Sequence, residues 1–172
     1  VLTMMTAPQW VMLVTYWLMI SIQSGNCKVN LPINVYWNAS NPMFRTSNNK
    51  NIIHVKMSDH VNFICPRYPK STKDDEMEYY DIYNVSKKSY DNCVITETEA
   101  RPLLTCIRPN GHHARQYTLL ITPFMPIPGA VEFNERSSYY FITTSTGAKS
   151  ELNNCYHGAC LEKNMKIMLI VA

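Results

Sequence analysis

From residue 34 onward, short runs that mix apolar and polar residues recur between turn residues. Their period suits half-buried strands rather than helices. The candidate strands are Asn34–Trp37, Ile52–Met57, Val61–Cys65, Glu78–Val85, Asn92–Ile95, Leu103–Ile107, Gln116–Ile121, Ser138–Thr144 and Met165–Val171. Glu78–Val85 carries Tyr79, Tyr80, Ile82 and Tyr83, residue types that pack well on a pleated surface. No stretch holds a helical period over three turns, and a short helical possibility stands only near Thr96–Ala100. Pro66, Pro69, Pro102 and Pro109 sit just outside candidate strands, where a missing N–H costs no ladder bond. About eight strands with regular turn signals predict an all-β fold, an antiparallel Greek-key sandwich or barrel. No internal repeat or low-complexity segment interrupts it.

The N-terminal stretch follows a different pattern. Trp10–Ile22 is apolar apart from Thr15 and Ser21, and the first charged residue is Lys28. Ser21, Ser24 and Gly25 follow as small and polar residues, so 1–25 reads as a secretory signal peptide, truncated at its start, before a domain over 26–172. A signal anchor is the rival, but the apolar run is shorter than the ~20 residues of a membrane span. All six cysteines, Cys27, Cys65, Cys93, Cys106, Cys155 and Cys160, come after it, and in an oxidising compartment they pair. The net charge of +3 comes from 16 basic and 13 acidic residues with no basic stripe, so no nucleic-acid partner is expected. Lys87-Lys88 and Lys73-Asp74-Asp75-Glu76 read as solvated turns or loops.

One loop breaks the rule that loops are polar. In 122–131, Pro123, Pro126, Pro128 and Gly129 are interleaved with Phe124, Met125, Ile127 and Val131. Such a segment either folds back on the core or is offered to a partner. Its prolines reduce the entropy lost on docking.

Catalytic motifs are absent. There is no Gly-x-Ser-x-Gly, no glycine-rich phosphate loop and no distinct carboxylate pair, so no enzyme is expected. Cys155, His157, Cys160 and Met165 resemble the cysteine, histidine and methionine of a blue-copper site near the end of a β-sandwich. The spacing fits poorly, however, and disulfide formation competes for the thiols, so no metal or other cofactor is expected. A secreted copper-binding electron-transfer protein of cupredoxin fold stays as the alternative function. His112-His113, adjacent in a turn, are poor joint ligands. Asn38-Ala39-Ser40 and Asn84-Val85-Ser86 are N-glycosylation sequons.

The ordered motifs resemble the ephrin ectodomain. They begin with Val35-Tyr36-Trp37-Asn38-Ala39-Ser40-Asn41-Pro42, followed by Ile64-Cys65-Pro66, Glu78-Tyr79-Tyr80 and Asn92-Cys93. Pro102-Leu103-Leu104-Thr105-Cys106, Thr122-Pro123-Phe124, Glu132-Phe133, Ser138–Ile142 and Met165-Lys166-Ile167 complete the order. This resemblance implies a disulfide-stapled, cupredoxin-like Greek-key sandwich without copper. It implies a ligand for Eph receptor tyrosine kinases in contact-dependent cell–cell signalling, as in axon guidance and morphogenesis, with higher-order clustering alongside the receptor. The site would be the extracellular face of the plasma membrane, reached through the secretory pathway and held by an anchor absent from this chain. Receptor contact would come from Pro123, Phe124, Met125, Pro126, Ile127, Pro128 and Val131, with Glu132 facing a receptor arginine. The family pattern implies Cys65–Cys106 and Cys93–Cys160, leaving Cys27 and Cys155 for a third bridge. It also implies a glycan on Asn38.

Overall fold

A computed structural model describes residues 30–46 and 50–172. The signal stretch, Cys27 and the domain boundary expected at 25/26 lie outside the described residues. Among the described residues eight strands are present: β1 (Ile33–Tyr36), β2 (Ile52–Val55), β3 (His60–Ile64), β4 (Tyr80–Val85), β5 (Leu104–Cys106), β6 (Gln116–Leu120), β7 (Ser138–Ile142) and β8 (Lys166–Val171). They form a three-stranded sheet ordered β1-β3-β6 and a five-stranded sheet ordered β2-β8-β7-β4-β5. The architecture is thus an all-β sandwich. The expectation of purely antiparallel sheets needs correction, because β1 runs parallel to β3 and β2 runs parallel to β8. Strand alternation marks which residues face inward but says nothing about partner direction, which is a property of the connections.

Alternation builds the core. In β8 every second residue, Ile167, Leu169 and Val171, is buried, and in β3 Val61 and Phe63 are. Trp37, Phe44, Phe63 and Phe141 meet edge to face, with ring centroids 5.0–5.3 Å apart. Each large side chain so buried stabilises by about 1.5–3 kcal/mol relative to exposure. β4 is covered on both faces. Tyr80 and Ile82 join the main core, while Tyr83 and Val85 join a smaller cluster containing Cys93, Ile95, Ile142 and Cys160.

Three further expectations fail for local reasons. Asn92–Ile95 is not a strand. Asn92 ends helix α1 (Lys87–Asn92), Cys93 caps it at φ 52°, and only Val94 makes an isolated bridge, to Tyr156. Lys87-Lys88 accordingly opens a helix rather than a turn, with Ser86 as its N-cap and Lys87 paired to Asp91 at 2.6 Å. Six residues are too few to display a helical period. Thr96–Ala100 is not a helix either, because Glu99 captures the Thr96 N–H and hydroxyl and closes a turn. A second helix among the described residues, α2, spans Gly158–Glu162. Among the described residues, no helix is long and apolar enough to cross a membrane.

Candidate functional site

The β6–β7 connection is clamped at its root. Ile121 and Phe133 are fully buried, and the Phe133 N–H donates to the Thr122 carbonyl at 2.9 Å. The Phe133 ring packs on Tyr139 with centroids 4.6 Å apart, and the Tyr139 hydroxyl accepts from the Asn134 N–H at 2.7 Å. Above this root the chain rises with two braces. Glu132 Oε1 accepts from the Met125 N–H at 3.3 Å, and Ala130 N–H closes a turn onto the Ile127 carbonyl at 3.1 Å. Gly129 occupies that turn at φ 78°, a conformation side chains rarely adopt.

This frame sorts the loop's apolar residues. Phe124 is 71% exposed and Ile127 63%. Pro123, Pro126 and Pro128 are exposed beside them, whereas Met125 is half-buried and Val131 turns inward to pack on the core. The two alternatives open for the loop are therefore divided between its residues: Val131 folds back, and Phe124 and Ile127 face solvent. Glu132 is exposed, but its carboxylate also organises the loop's own backbone.

Beneath the second half of the loop lies an open cleft of about 350 Å³. One wall is Ile127–Val131, the other is Thr98–Leu103, and Asn84 and Tyr117 line the space between. The wall opposite the loop is held by Glu99. It accepts from the Ser86 N–H at 2.7 Å, the Ser89 hydroxyl at 2.6 Å, and the Thr96 N–H and hydroxyl at 3.2 and 2.8 Å. Partial burial alone would raise its pKa, but the bonds from Ser89, Ser86 and Thr96 outweigh that and hold it down at about 2. In an ordinary capping box the acid sits three residues after the N-cap. Here Ser89 holds that position and Glu99 supplies the carboxylate from farther along the chain, so local sequence gave no signal for this wall.

Among the described residues four cysteines form two bonded pairs. Cys65 joins Cys106 and Cys93 joins Cys160, the pairs that the ephrin resemblance implies. Cys155 is half-buried against the cluster around the second pair and forms no disulfide among the described residues. Cys27, its expected partner, lies outside them. The blue-copper constellation is not assembled: Cys160 has given its thiolate to a disulfide, Met165 is fully buried in the main core, and His157 is exposed. Among the described residues no group of three or more His, Cys, Asp or Glu is placed to hold a metal ion.

Both sequons are accessible in part. Asn38 follows β1, with the Ser40 hydroxyl donating to its Oδ1 at 3.1 Å, and Asn41 next to it caps a short 3-10 turn over Pro42–Phe44. Asn84 lies in β4, half-buried at the cleft.

Comparison with known proteins bears directly on this arrangement. The Ephrin family model matches residues 29–171. Ephrin-B2a of Danio rerio is 31% identical over 150 residues, covering 84% of this chain and 44% of that protein. Ephrin-A1 of Homo sapiens is 36% identical over 111 residues, covering 63% of this chain and 53% of that protein. The chain thus spans about half the length of these curated relatives. Among solved structures, a chain of the human ephrin A2–ephrin A1 complex superposes with a TM-score of 0.64 at 29% identity, covering 82% of this chain and 98% of that one. A match over nearly the whole described sandwich, in sequence and in fold, shows that this chain belongs to the ephrin family.

Proposed function

We propose that this chain is the receptor-binding ectodomain of a cell-surface ligand for Eph receptor tyrosine kinases, acting without catalysis at contacts between cells. The observation that carries the reading is the outward presentation of Phe124 and Ile127 from a loop clamped at its root. Large apolar side chains on a braced, proline-stiffened loop lose little freedom on docking, so their burial goes largely into affinity. Pro123, Met125, Pro126 and Pro128 shape the loop around them, Val131 anchors it, and Glu132 faces a receptor cation. Membership of the ephrin family supports the partner class. Clustering with receptor, a glycan on Asn38 and a membrane anchor beyond this chain belong to the same reading.

The test is binding of the secreted protein to immobilised Eph receptor ectodomains. Central apolar anchors cost at least ~2 kcal/mol when truncated, which is about 30-fold in affinity. Phe124→Ala and Ile127→Ala should each weaken binding by that factor or more. Capture by no Eph ectodomain, or full affinity in both variants, would sink the proposal.

A further inference from the structure

The sequon at Asn84 lies at the foot of the loop. Alternation along β4 puts Asn84 on the same face as Tyr80 and Ile82, which enter the main core. Its own backbone is paired with Phe141 of β7, so the direction of its side chain is set by the ladder. At this end of the sandwich the core gives way to the cleft, and Asn84 is half-buried there. Asparagine is disfavoured in strands, and the Asn84 amide makes no hydrogen bond with another described residue.

We propose that Asn84 carries an N-linked glycan whose first sugar residue occupies the cleft between the loop and the Glu99 wall. The proposal rests on the export reading given above, not on receptor binding. In the transfer step, Asn84 Nδ2 attacks C1 of the first N-acetylglucosamine of a lipid-pyrophosphate-linked oligosaccharide. The C1–Nδ2 bond forms as the C1–O bond to the pyrophosphate breaks. The amide loses one proton and the lipid pyrophosphate departs. The Ser86 hydroxyl that completes the sequon ends up as the N-cap of α1, accepting from the Ser89 N–H at 3.3 Å.

The cleft suits a sugar. Its volume of about 350 Å³ falls in the ~300–1,000 Å³ range of small-molecule sites. Tyr117 and Val131 offer apolar surface to the ring, while Glu99 and Arg101 offer polar partners to hydroxyls and the acetamido group. A residue seated there touches both walls at once. It therefore ties Ile127–Val131 to Thr98–Leu103 and limits how far the loop's second half can move.

The experiment uses the chain secreted from eukaryotic cells. Enzymatic deglycosylation in ¹⁸O-water, followed by peptide mass spectrometry, converts each occupied asparagine to a labelled aspartate. Labelling at both Asn38 and Asn84 is expected. Labelling at Asn38 alone, or at neither asparagine, overturns the proposal. Hydrogen exchange then reads the seat. Peptides covering 126–131 and 98–103 should exchange several-fold faster in Asn84→Gln than in the wild type, and protein trimmed to one sugar per site should keep the wild-type protection. Equal exchange in all three forms would overturn the seating. Ser86→Thr keeps both sequon and cap, and should match the wild type in occupancy and exchange. No receptor enters these measurements, so their failure is distinct from failure of receptor binding.

Discussion

Two long connections leave β7, and they are built in opposite ways. The segment before it, residues 121–137, turns its polar groups to the backbone at the root and sends Phe124 and Ile127 into solvent. The segment after it, residues 143–165, turns polar side chains inward. Thr143, Thr144 and Ser145 are fully buried. The Thr144 hydroxyl donates to the Asn154 carbonyl, the Ser145 hydroxyl donates to the Leu152 carbonyl at 2.9 Å, and Asn154 Nδ2 donates to the carbonyls of Thr144 and Tyr156 at 2.8 Å each. Gly158, at φ 46°, closes that segment so tightly that an added Cβ would overlap the Thr144 carbonyl oxygen. The second connection bonds most of its buried polar groups internally, although Thr143 Oγ1 finds no partner among the described residues and Tyr156 and Leu161 are each 62% exposed. The first leaves its largest apolar groups unpartnered, and burial of such groups is the dominant favourable term in association. The clamped, proline-stiffened presentation of Phe124 and Ile127 supports the proposal that the β6–β7 loop is the partner surface.

The contrast can be broken at its root. Phe133→Ala removes a fully buried ring and should cost about 3–5 kcal/mol of stability, read by denaturant unfolding. Receptor binding should fall with it, because the clamp that orients the loop is lost. A stable Phe133→Ala protein would mean that the loop is held by something other than this clamp.

Phe124→Ala gives the opposite signature. Its cost should be at least ~2 kcal/mol in receptor affinity and within about 0.5 kcal/mol in stability, as for an exposed site. Denaturation midpoints measured beside affinities separate the two phenylalanines. Lost stability in Phe124→Ala with unchanged affinity would turn the loop into core.

In the β7–β8 connection, Asn154→Ala strands the Thr144 carbonyl and should cost about 1–3 kcal/mol in stability with no change in receptor affinity. A loss of affinity in this variant would remove the asymmetry between the two segments.

Glu132→Ala deletes the brace to Met125 and the charge offered to a receptor. We expect a loss of about 0.5–1 kcal/mol in affinity, larger at low ionic strength if the charge contributes. Salt independence would leave the backbone brace as its only role.

A pH-dependent contribution lies in the wall facing the loop. Glu99 is held down at about 2 in the fold against an ordinary value of 4.5. A depressed carboxylate stabilises above its unfolded pKa, and that contribution is lost as pH falls from about 4.5 through about 2. Acid unfolding of Glu99→Gln should therefore show a shallower loss over that window than the wild type. Identical acid limbs would mean that Glu99 does not couple to folding.

Much of this molecule was legible in the chain. Val61 and Phe63, or Ile167, Leu169 and Val171, announce inward faces through period-two alternation, because a strand's side chains have no other freedom. The apolar loop was conspicuous for the same kind of reason: Phe124 and Ile127 among prolines cannot join a ladder, yet they are not what solvent selects. Other features depended on what lies far away in sequence. Alternation is blind to strand direction, so the parallel pairs β1–β3 and β2–β8 were decided by how the chain crosses between sheets. The six residues of α1 are held by Ser86 and by Glu99 at its N-terminus, a carboxylate whose helix-end partners Ser86 and Ser89 lie 13 and 10 residues away. The division of the loop, with Val131 inward, Met125 half-covered and Phe124 and Ile127 outward, follows from the clamp at Phe133. Asn84 carries a sequon that any reader of the sequence finds, but only the packing of the loop over β4 places that sequon in a cleft. Sequence by itself determined which residues prefer burial and which break strands, since those are properties of side chains. Tertiary structure decided which exposed apolar groups remain without a partner, since that depends on what the rest of the fold leaves uncovered.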